Sequence, residues 1–265
     1  MDKRTVLITG ASSGIGLAAA ELFLKNGDSV YALSRRDCPA PGAVSLHADV
    51  TDGDAVREAI DEVFRREGRL DVLVLNAGFG ISGAVEFTGL SEAKRQLDVN
   101  FFGTASCIRH ALPHMREQGS GHILIISSVA GAIPIPFQAY YSCSKAALNA
   151  LVLAAANELR PFNIHVAAVL PGDIKTGFTE AREKNASGAS VYAALDGSIK
   201  TMEQDERRGM PPSAIAKKLY SLSKKKSPKP LSTVGLKYKL FLALAKLLPV
   251  RFTNRIVGML YAGKK

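Results

Sequence analysis

Hydrophobic residues recur along most of the chain in short uninterrupted runs, separated by longer segments with helical spacing. The short runs are rich in Val, Ile and Leu without polar alternation, which is typical of strands covered on both faces. They are Thr5–Thr9, Ser29–Ser34, Val44–Asp49, Val72–Asn76, His122–Ser127 and Ile164–Leu170. The longer segments predict helices over Ile15–Asn26, Asp52–Glu67, Ser91–Met115 and Tyr141–Leu159. This alternation predicts an α/β fold with a parallel, doubly wound sheet in a single domain.

Local residues indicate where some of these elements begin and end. Thr51 precedes the helix predicted from Asp52 and is a good N-cap residue, and Gly68 stands where this helix should end. By contrast, Glu180–Arg208 is polar, dotted with Ala and Gly, and only weakly periodic. We therefore expect this segment to be the most mobile part of the chain.

Charge is distributed unevenly along the 265 residues. Residues 1–206 contain 19 Lys or Arg against 24 Asp or Glu, whereas residues 207–265 contain 15 Lys or Arg and no acidic residue. A uniform net charge of +10 would suit a nucleic-acid-binding protein, but an acidic body with a basic end indicates a local surface effect. We therefore distinguish a main part, 1–206, from a basic C-terminal segment, 207–265, of the same domain.

Cysteine usage and hydropathy indicate the cellular compartment. Cys38, Cys107 and Cys143 are odd in number and share no metal-ligand spacing, so we expect reduced thiols and no metal site. The first apolar run is too short for a signal peptide. No window reaches about 18 uncharged apolar residues, the length that suggests a membrane-spanning helix. These features predict a cytoplasmic protein.

A glycine-rich turn, TGASSGIG from Thr9 to Gly16, follows the first predicted strand and opens directly into a helix. Glycines let the backbone approach a pyrophosphate, and the helix N-terminus offers amide donors and the positive end of its dipole. The spacing differs from G-x-G-x-x-G, but the strand–turn–helix context is the one that a dinucleotide site needs. An ordinary tight turn is the alternative; the apolar strand before it favours cofactor binding.

The end of the second predicted strand indicates which dinucleotide is bound. The residue that contacts the ribose is expected about 20 residues after the glycine turn, and Ser34, Arg35 and Arg36 stand in that region. An acidic residue would accept the ribose 2′-hydroxyl and repel a 2′-phosphate, whereas serine and arginine favour the phosphate. The sequence therefore predicts NADP(H). NAD(H) is the alternative because Asp37 follows closely, and the arginines could also be solvated loop residues.

A second group of polar residues follows the fifth predicted strand. Tyr141 lies thirteen residues after Ser128, and Lys145 lies one helical turn beyond it on the same helix face. A phenol with a pKa near 10 is a poor base at neutral pH, and a nearby ammonium would lower that pKa. A serine hydroxyl could hold a carbonyl oxygen while the phenol supplies or removes the proton. A Y-x-x-x-K pair alone often arises by chance, so this hypothesis depends on the glycine turn and the serine.

Together these motifs resemble the short-chain dehydrogenase/reductase family. Thr9–Gly16 is similar to its T-G-x-x-x-G-I-G turn, and Leu75–Gly78 to its N-N-A-G sequence with Leu75 in place of the first Asn. PGDIKT, Pro171–Thr176, is similar to the P-G-x-I-x-T segment beside the nicotinamide carboxamide. The match spans about residues 5–178 in order. It is most similar to 17β-hydroxysteroid and retinol dehydrogenase-like members.

The resemblance implies a fold, a reaction and a set of site residues. The fold is a Rossmann-type sheet of about seven strands, and 1–206 would be its NADP-binding, catalytic part. The implied catalytic residues are Asn100, Ser128, Tyr141 and Lys145. Tyr141 would be the general acid and base, Lys145 would hold the nicotinamide ribose and lower the phenol pKa, Ser128 would orient the carbonyl, and Asn100 would hold a relay water. The implied cofactor-binding residues are Gly10, Ser12, Ser13, Gly14, Ile15, Gly16, Ser34, Arg35, Arg36, Asp49, Val50, Asn76, Ala77, Gly78, Tyr141, Lys145, Pro171, Gly172, Ile174 and Thr176.

The family's substrate pocket lies among three loops that are apolar in this chain. They contribute Phe79, Ile81, Ile133, Pro134, Ile135, Phe137 and Phe178. Such a lining suggests a hydrophobic small molecule, a ketone or secondary alcohol of steroid, retinoid or keto-lipid type. The alternative is that these residues form a satellite core.

The basic C-terminal segment departs from many relatives. Leu231–Gly235 is the last predicted strand, and helices are predicted over Leu236–Leu248 and Phe252–Tyr261, the first with leucines at helical spacing and lysines elsewhere. Two interpretations remain open. The helices cover the pocket or a partner subunit, or they form a basic amphipathic surface for an anionic membrane. No aromatic–basic interleaving is visible, so nucleic acid is not a predicted partner.

Small residues along Tyr141–Leu159 permit close approach of another helix. In relatives this helix lies in a dimer interface, so the resemblance implies a homodimer.

The motifs leave three competing functions. One is an NAD-dependent alcohol dehydrogenase. Another is an epimerase-like enzyme, for whose extra domain the chain is too short. The third is a non-catalytic, cofactor-binding, membrane-docked sensor, which would not need Ser128, Tyr141 and Lys145.

Overall fold

The apolar runs form a parallel sheet at the centre of the computed structural model, which describes residues 3–263. Within that range the strands are β1 (Thr5–Thr9), β2 (Ser29–Ser34), β3 (Val44–His47), β4 (Val72–Leu75), β5 (Ile81–Ser82), β6 (Gly121–Ile126), β7 (Ile164–Leu170), β8 (Glu183–Lys184) and β9 (Leu231–Thr233). Seven pair in parallel in the order β3-β2-β1-β4-β6-β7-β9, and β5 pairs with β8 separately. Residues 1–2 and 264–265, which belong to the predicted segments, lie outside the described residues.

Helices cover both faces of this sheet. They are α1 (Gly14–Lys25), α2 (Gly53–Glu67), α3 (Leu90–Leu97), α4 (Gly103–Gln118), α5 (Ala139–Glu158), α6 (Phe178–Ala181), α7 (Leu195–Arg207), α8 (Pro212–Leu222), α9 (Leu236–Leu247) and α10 (Val250–Tyr261). Side chains alternate along a strand, so Leu7 of β1 joins the core under α2, α4 and α5. Val6 and Ile8 join the core under α1 and α8. The doubly wound sheet predicted from the sequence is confirmed.

The start of α2 differs from the prediction. Asp52, not Thr51, is the N-cap, because its carboxylate accepts hydrogen bonds from the backbone amides of Asp54 and Ala55 at 3.1 and 3.0 Å. The Thr51 hydroxyl instead donates to Asp49 at 2.7 Å. Gly68 ends the helix as expected, with a φ of 68°.

The single helix predicted over Ser91–Met115 is interrupted. A π-helical turn, Asp98–Phe102, separates α3 from α4, and the Gly103 amide donates to the carbonyl of Asp98, five residues back. A methyl group at Gly103 would lie 2.7 Å from a Val50 methyl, so helix and loop meet where only glycine fits. Such turns occur often at functional sites, and this one holds Asn100.

The segment expected to be most mobile, Glu180–Arg208, holds β8 and α7. Leu195, Ile199 and Met202 of α7 are buried at spacings of four and three residues. That pattern is a helical signal, but the charged residues between them dilute it in the sequence.

The C-terminal segment forms the two predicted helices. Val257 of α10 is buried, and Leu242 of α9 packs against the core under α5. The last strand, β9, ends two residues before the predicted Gly235. None of the helices in residues 3–263 is long and apolar enough to cross a membrane.

Candidate active site

The carboxyl ends of the parallel strands open into a cavity of about 1210 Å³. In open α/β sheets this edge is where ligands bind. Of the predicted cofactor-binding residues, all but Gly16 line the cavity, together with the predicted catalytic Ser128, Tyr141 and Lys145. Gly16 and Asn100 lie just behind its wall.

The glycine turn adopts a conformation that fits a pyrophosphate. Gly10 and Gly14 have φ angles of 67° and 58°, which side chains other than glycine rarely adopt. A methyl group at Gly16 would lie 2.4 Å from the Gly10 carbonyl oxygen and 2.6 Å from Asn76 Nδ2. Ser13 is the N-cap of α1, but within residues 3–263 no side chain caps the amides there. The glycine turn and the N-terminal amides of α1 therefore suit an anionic group.

Asn76 holds the end of β4 against this turn. Its Nδ2 donates to the carbonyls of Thr9 and Gly10 at 3.1 and 3.0 Å. The Thr9 hydroxyl in turn accepts from the amides of Asn76 and Ala77 at 2.9 and 3.1 Å. Thr9 belongs to the glycine-rich motif but is not among the predicted site residues.

At the far end of the cavity lie the predicted contacts of the adenosine half. Arg35 lies 3.7 Å from Asp49, and its side chain is 81% exposed. Burial raises the pKa of Asp49, but hydrogen bonds from Thr51 and the Arg35 charge outweigh it and hold the pKa below its ordinary value. Asp37, the residue that kept NAD(H) open, lies 3.0 Å from His47 instead. It is not among the described residues that line the cavity.

Ser128, Tyr141 and Lys145 meet at the opposite end. Ser128 follows β6, and its hydroxyl interacts with the Tyr141 phenol and accepts from the Ala130 amide at 3.0 Å. Tyr141 and Lys145 stand one turn apart on α5, with Lys145 Nζ 5.8 Å from the centre of the Tyr141 ring. The sequence spacing therefore does bring the three side chains together.

The electrostatics of this group differ from the prediction. Burial raises the pKa of Tyr141 to about 12, against smaller lowering effects of the Ser128 hydroxyl and the Arg182 charge. The Lys145 ammonium donates to the Ile126 carbonyl at 2.8 Å, and burial lowers its own pKa to about 8. Arg182, which sequence analysis did not identify, supplies the positive charge felt by the phenol.

Asn100 is fully buried and bonded on both sides. Its Oδ1 accepts from the Phe79 amide at 3.0 Å, and its Nδ2 donates to the Phe79 carbonyl and to Ser144 Oγ. A methyl group at Gly78 would lie 3.0 Å from Asn100 Oδ1 and 3.7 Å from Lys145 Nζ. Asn100 thus fixes the loop beside Lys145, and its predicted role with a relay water stays a prediction.

Pro171–Thr176 forms the wall between the two ends, braced from the C-terminal segment. The Tyr238 ring of α9 covers Gly172, where a methyl group would lie 2.2 Å from the ring. The Tyr238 hydroxyl donates to the Asp173 carboxylate at 2.5 Å and accepts from the Asp173 amide at 3.0 Å. Leu240 and Leu244 of α9 and Tyr261 of α10 complete this side of the cavity. The interpretation that these helices cover the pocket matches this geometry.

Four of the seven predicted substrate-pocket residues line the cavity: Phe79, Ile133, Ile135 and Phe178. The other three do not, and this corrects the prediction. Ile81 is buried in β5, Pro134 faces outward, and Phe137 packs edge-on against Tyr192.

Arg182 and Glu206 are the cavity residues that sequence analysis missed most completely. They lie 24 residues apart in the weakly periodic segment and form a buried ion pair. No local spacing relates them, because the pair exists only when α7 folds back onto the strand that follows Arg182.

Comparisons with known proteins agree with this geometry. The family model for short chain dehydrogenase matches residues 4–187. A 3-ketodihydrosphingosine reductase of Bacteroides thetaiotaomicron is 38% identical over 239 residues, 89% of each chain. Human 17-beta-hydroxysteroid dehydrogenase type 1 is 37% identical over 197 residues, 68% of this chain and 60% of that protein.

Solved structures share the whole fold. A short-chain dehydrogenase from Streptomyces avermitilis superposes with a TM-score of 0.83 at 31% identity, over 95% of this chain and 94% of that one. ElxO with NADP bound gives 0.76 at 28% identity, over 90% and 100%. A 3-ketoacyl-(acyl-carrier-protein) reductase from Brucella melitensis, complexed with NADH, gives 0.75 at 26% identity, over 87% and 96%.

Proposed function

Because the chain belongs to the short-chain dehydrogenase/reductase family, we propose that it reduces a hydrophobic ketone with NADPH, or oxidises the corresponding secondary alcohol. The observation that carries this proposal is the meeting of Ser128, Tyr141 and Lys145 in one cavity with the glycine turn. When bound, the cofactor supplies or takes up the hydride. The side chains position the substrate and move the proton.

Tyr141 is the proposed general acid of the reduction. A pKa of about 12 keeps the phenol protonated at neutral pH, so it can donate its proton to the carbonyl oxygen. Ser128 is placed to donate a hydrogen bond to the same oxygen. The Arg182 charge favours the phenolate that remains when Tyr141 has given up its proton. Oxidation needs the phenolate, so it is favoured as pH rises.

Three observations support NADP(H) over NAD(H). Ser34, Arg35 and Arg36 line the cavity where the second strand ends. Asp37 is engaged with His47, outside the lining. ElxO, a structural neighbour, binds NADP. The neighbour with NADH shows that the fold accepts either cofactor, so the arginines carry this choice.

The apolar wall supports a hydrophobic substrate. Phe178, Ile133 and Ile135 stand near the reactive end, and Leu240 and Leu244 extend the wall towards the C-terminal helices. The names of two relatives, a ketodihydrosphingosine reductase and a hydroxysteroid dehydrogenase, denote lipid substrates. The relative matched over 89% of both chains favours a keto-lipid.

The outer surface of α9 and α10 supports docking on an anionic membrane. Leu247 and Val250 are 82% and 85% exposed, and Leu236 and Phe252 are also exposed. Lysines and arginines flank them, and no acidic residue occurs after Glu206. Leu240 and Leu244 are at once exposed and part of the cavity wall, so an apolar path joins this surface to the pocket.

The outer face of α5 supports a homodimer. Its exposed stripe contains Ala146, Ala150, Leu153 and Ala154, which are small or apolar and uncharged. An apolar groove between α4 and α5, lined by Ile108, Leu112 and Leu151 among others, continues this surface.

Replacing Tyr141 with Phe should lower kcat by about 100-fold or more, because the proton donor is lost. The affinity for NADPH, measured by fluorescence titration, should stay within about twofold. Tyr140→Phe is the matched control, since Tyr140 precedes it on the helix and does not line the cavity. Full activity of Tyr141→Phe would overturn the mechanism.

The double variant Arg35→Ala, Arg36→Ala should weaken NADPH binding by about tenfold and NADH binding much less. Arg65→Ala, Arg66→Ala is the control, an adjacent pair on α2 outside the cavity lining. Equal losses for the two dinucleotides would contradict NADP(H) selectivity.

Vesicles with anionic lipid should sediment the protein at low salt, and neutral vesicles should not. Leu247→Glu with Val250→Glu should abolish this binding, because it removes apolar area and adds repulsion. Leu90→Glu is the control, since Leu90 is equally exposed but lies on α3. Binding that is absent, or insensitive to salt, would exclude the membrane surface.

Light scattering after gel filtration should give a mass twice the 28.2 kDa of one chain. Ala150→Arg with Ala154→Arg should lower that mass to one chain, because two large cations would keep the α5 faces apart. A single-chain mass for the wild type would contradict the homodimer.

A further inference from the structure

Arg182 is a buried cation at the substrate end of the cavity. It lies between α6 and β8, and only 1% of its side chain is exposed. One guanidinium nitrogen, Nη2, donates to the Glu206 carboxylate. The Thr179 hydroxyl donates to the other oxygen of Glu206 at 2.7 Å. Burying a charge is unfavourable unless it is paired, and this pairing fixes where the guanidinium lies.

The ion pair with Glu206 uses only one of the three guanidinium nitrogens of Arg182. Arg182 Nε and Nη1 are buried and have no acceptor among the residues that the structure describes. Buried donors without an acceptor are unfavourable and rare in folded proteins. Arg182 is among the residues that line the cavity, so a bound molecule that reaches these donors would supply the missing acceptor.

These free donors lie close to the reactive end. The guanidinium carbon is 5.5 Å from the centre of the Phe178 ring, and that ring is 5.8 Å from the ring of Tyr141. The Arg182 charge is near enough to lower the pKa of Tyr141. A substrate group that meets Arg182 would therefore lie in the same part of the cavity as the carbonyl that meets Tyr141.

The surrounding charges favour a neutral acceptor over an anion. Arg182 is already neutralised by its ion pair with Glu206. Acidic and basic side chains balance at this end of the cavity, with Asp173, Glu183, Asp205 and Glu206 against Arg95, Lys145, Arg182 and Lys237. An anionic substrate group at Arg182 would therefore add an unpaired negative charge beside the Glu206 carboxylate. A hydroxyl oxygen can accept from Arg182 and still donate its own proton to a carboxylate.

We propose that Arg182 binds a hydroxyl group of the substrate close to the reacting ketone. The substrate would then be a hydroxy ketone with a polar head at Arg182 and an apolar remainder along the wall formed by α9. This inference rests on the proposed function, since it assumes that a ketone is reduced at Tyr141.

The test compares two ketones that differ only in this hydroxyl group. The probes are a long-chain 1-hydroxy-3-ketone and the 3-ketone of equal length, with the 3-oxo acid as an anionic third. The preference is the ratio of kcat/KM for the hydroxylated and plain ketones, with NADPH as the reductant. A change that only loosens the fold lowers both rates and leaves this ratio unchanged.

The wild type should prefer the hydroxy ketone by about 10- to 100-fold, the range for hydrogen bonds to a charged donor. Arg182→Lys, which can still pair with Glu206 but lacks the planar fork, should lose most of this preference. The double variant Arg182→Met, Glu206→Gln leaves no unpaired charge and should lose it entirely. Both variants should also reduce each ketone more slowly, because they alter the charges that act on Tyr141; the ratio of the two rates, and not either rate alone, therefore carries the result.

Lys184→Met is the matched control. Lys184 pairs with Glu203 between β8 and α7, as Arg182 pairs with Glu206, but neither Lys184 nor Glu203 lines the cavity. This variant should keep the wild-type preference. Equal loss of preference in Lys184→Met would show that the ion pairs act only through the position of α7, and would overturn the proposal.

The remaining outcomes distinguish failure of the hydroxyl site from failure of the proposed ketone reduction. Equal reduction of both ketones by the wild type, or an undiminished preference in the Arg182 variants, overturns the hydroxyl site but leaves the proposed function standing. An Arg182-dependent preference for the 3-oxo acid replaces the hydroxyl site with an anion site. Reduction of none of the probes, with NADPH still bound, counts against the ketone reduction itself.

Discussion

The contact between the first turn of α1 and the ends of β1 and β4 has no room for a side chain, and the cavity depends on it. Gly16 meets the Gly10 carbonyl and the Asn76 amide at distances that would exclude even a methyl group. Thr9 and Asn76 close the contact with four hydrogen bonds. This arrangement directs the start of α1 at the carboxyl edge of the sheet, where most of the other predicted site residues line the cavity.

The sequence predicted those parts of the site that depend on local spacing. Tyr141 and Lys145 are four residues apart on one helix, and the glycine turn is a continuous segment, so both could be read directly. Arg182 with Glu206, and Tyr238 with Asp173, are pairs separated by 24 and 65 residues. Their contacts depend on how α7 and α9 pack, which no local pattern specifies. The pKa of Tyr141 was predicted in the wrong direction, because burial and the place of the Lys145 ammonium are properties of the packed structure.

The two interpretations of the C-terminal helices turn out to be compatible. Tyr238 and Tyr261 face inward and line the cavity, whereas Leu236, Leu247 and Val250 face outward beside the basic residues. Leucines at helical spacing could not distinguish these roles, since a helix with two apolar faces serves both. The basic segment is therefore divided in the structure: α9 and α10 cover the cavity, whereas α8 packs beside α1 and β9 belongs to the main sheet.

The packing of the Tyr238 ring on Gly172 couples the stability of α9 to that of the cavity wall. The same ring packs against Pro171–Thr176 and the same hydroxyl holds Asp173, so this wall and α9 are ordered together. A ligand that stabilises the wall in this conformation also stabilises the docked helix. Thermodynamic linkage is reciprocal, so a docked helix strengthens the binding of that ligand by the same factor. The docking of α9 and the ordering of Pro171–Thr176 are therefore parts of one conformational equilibrium.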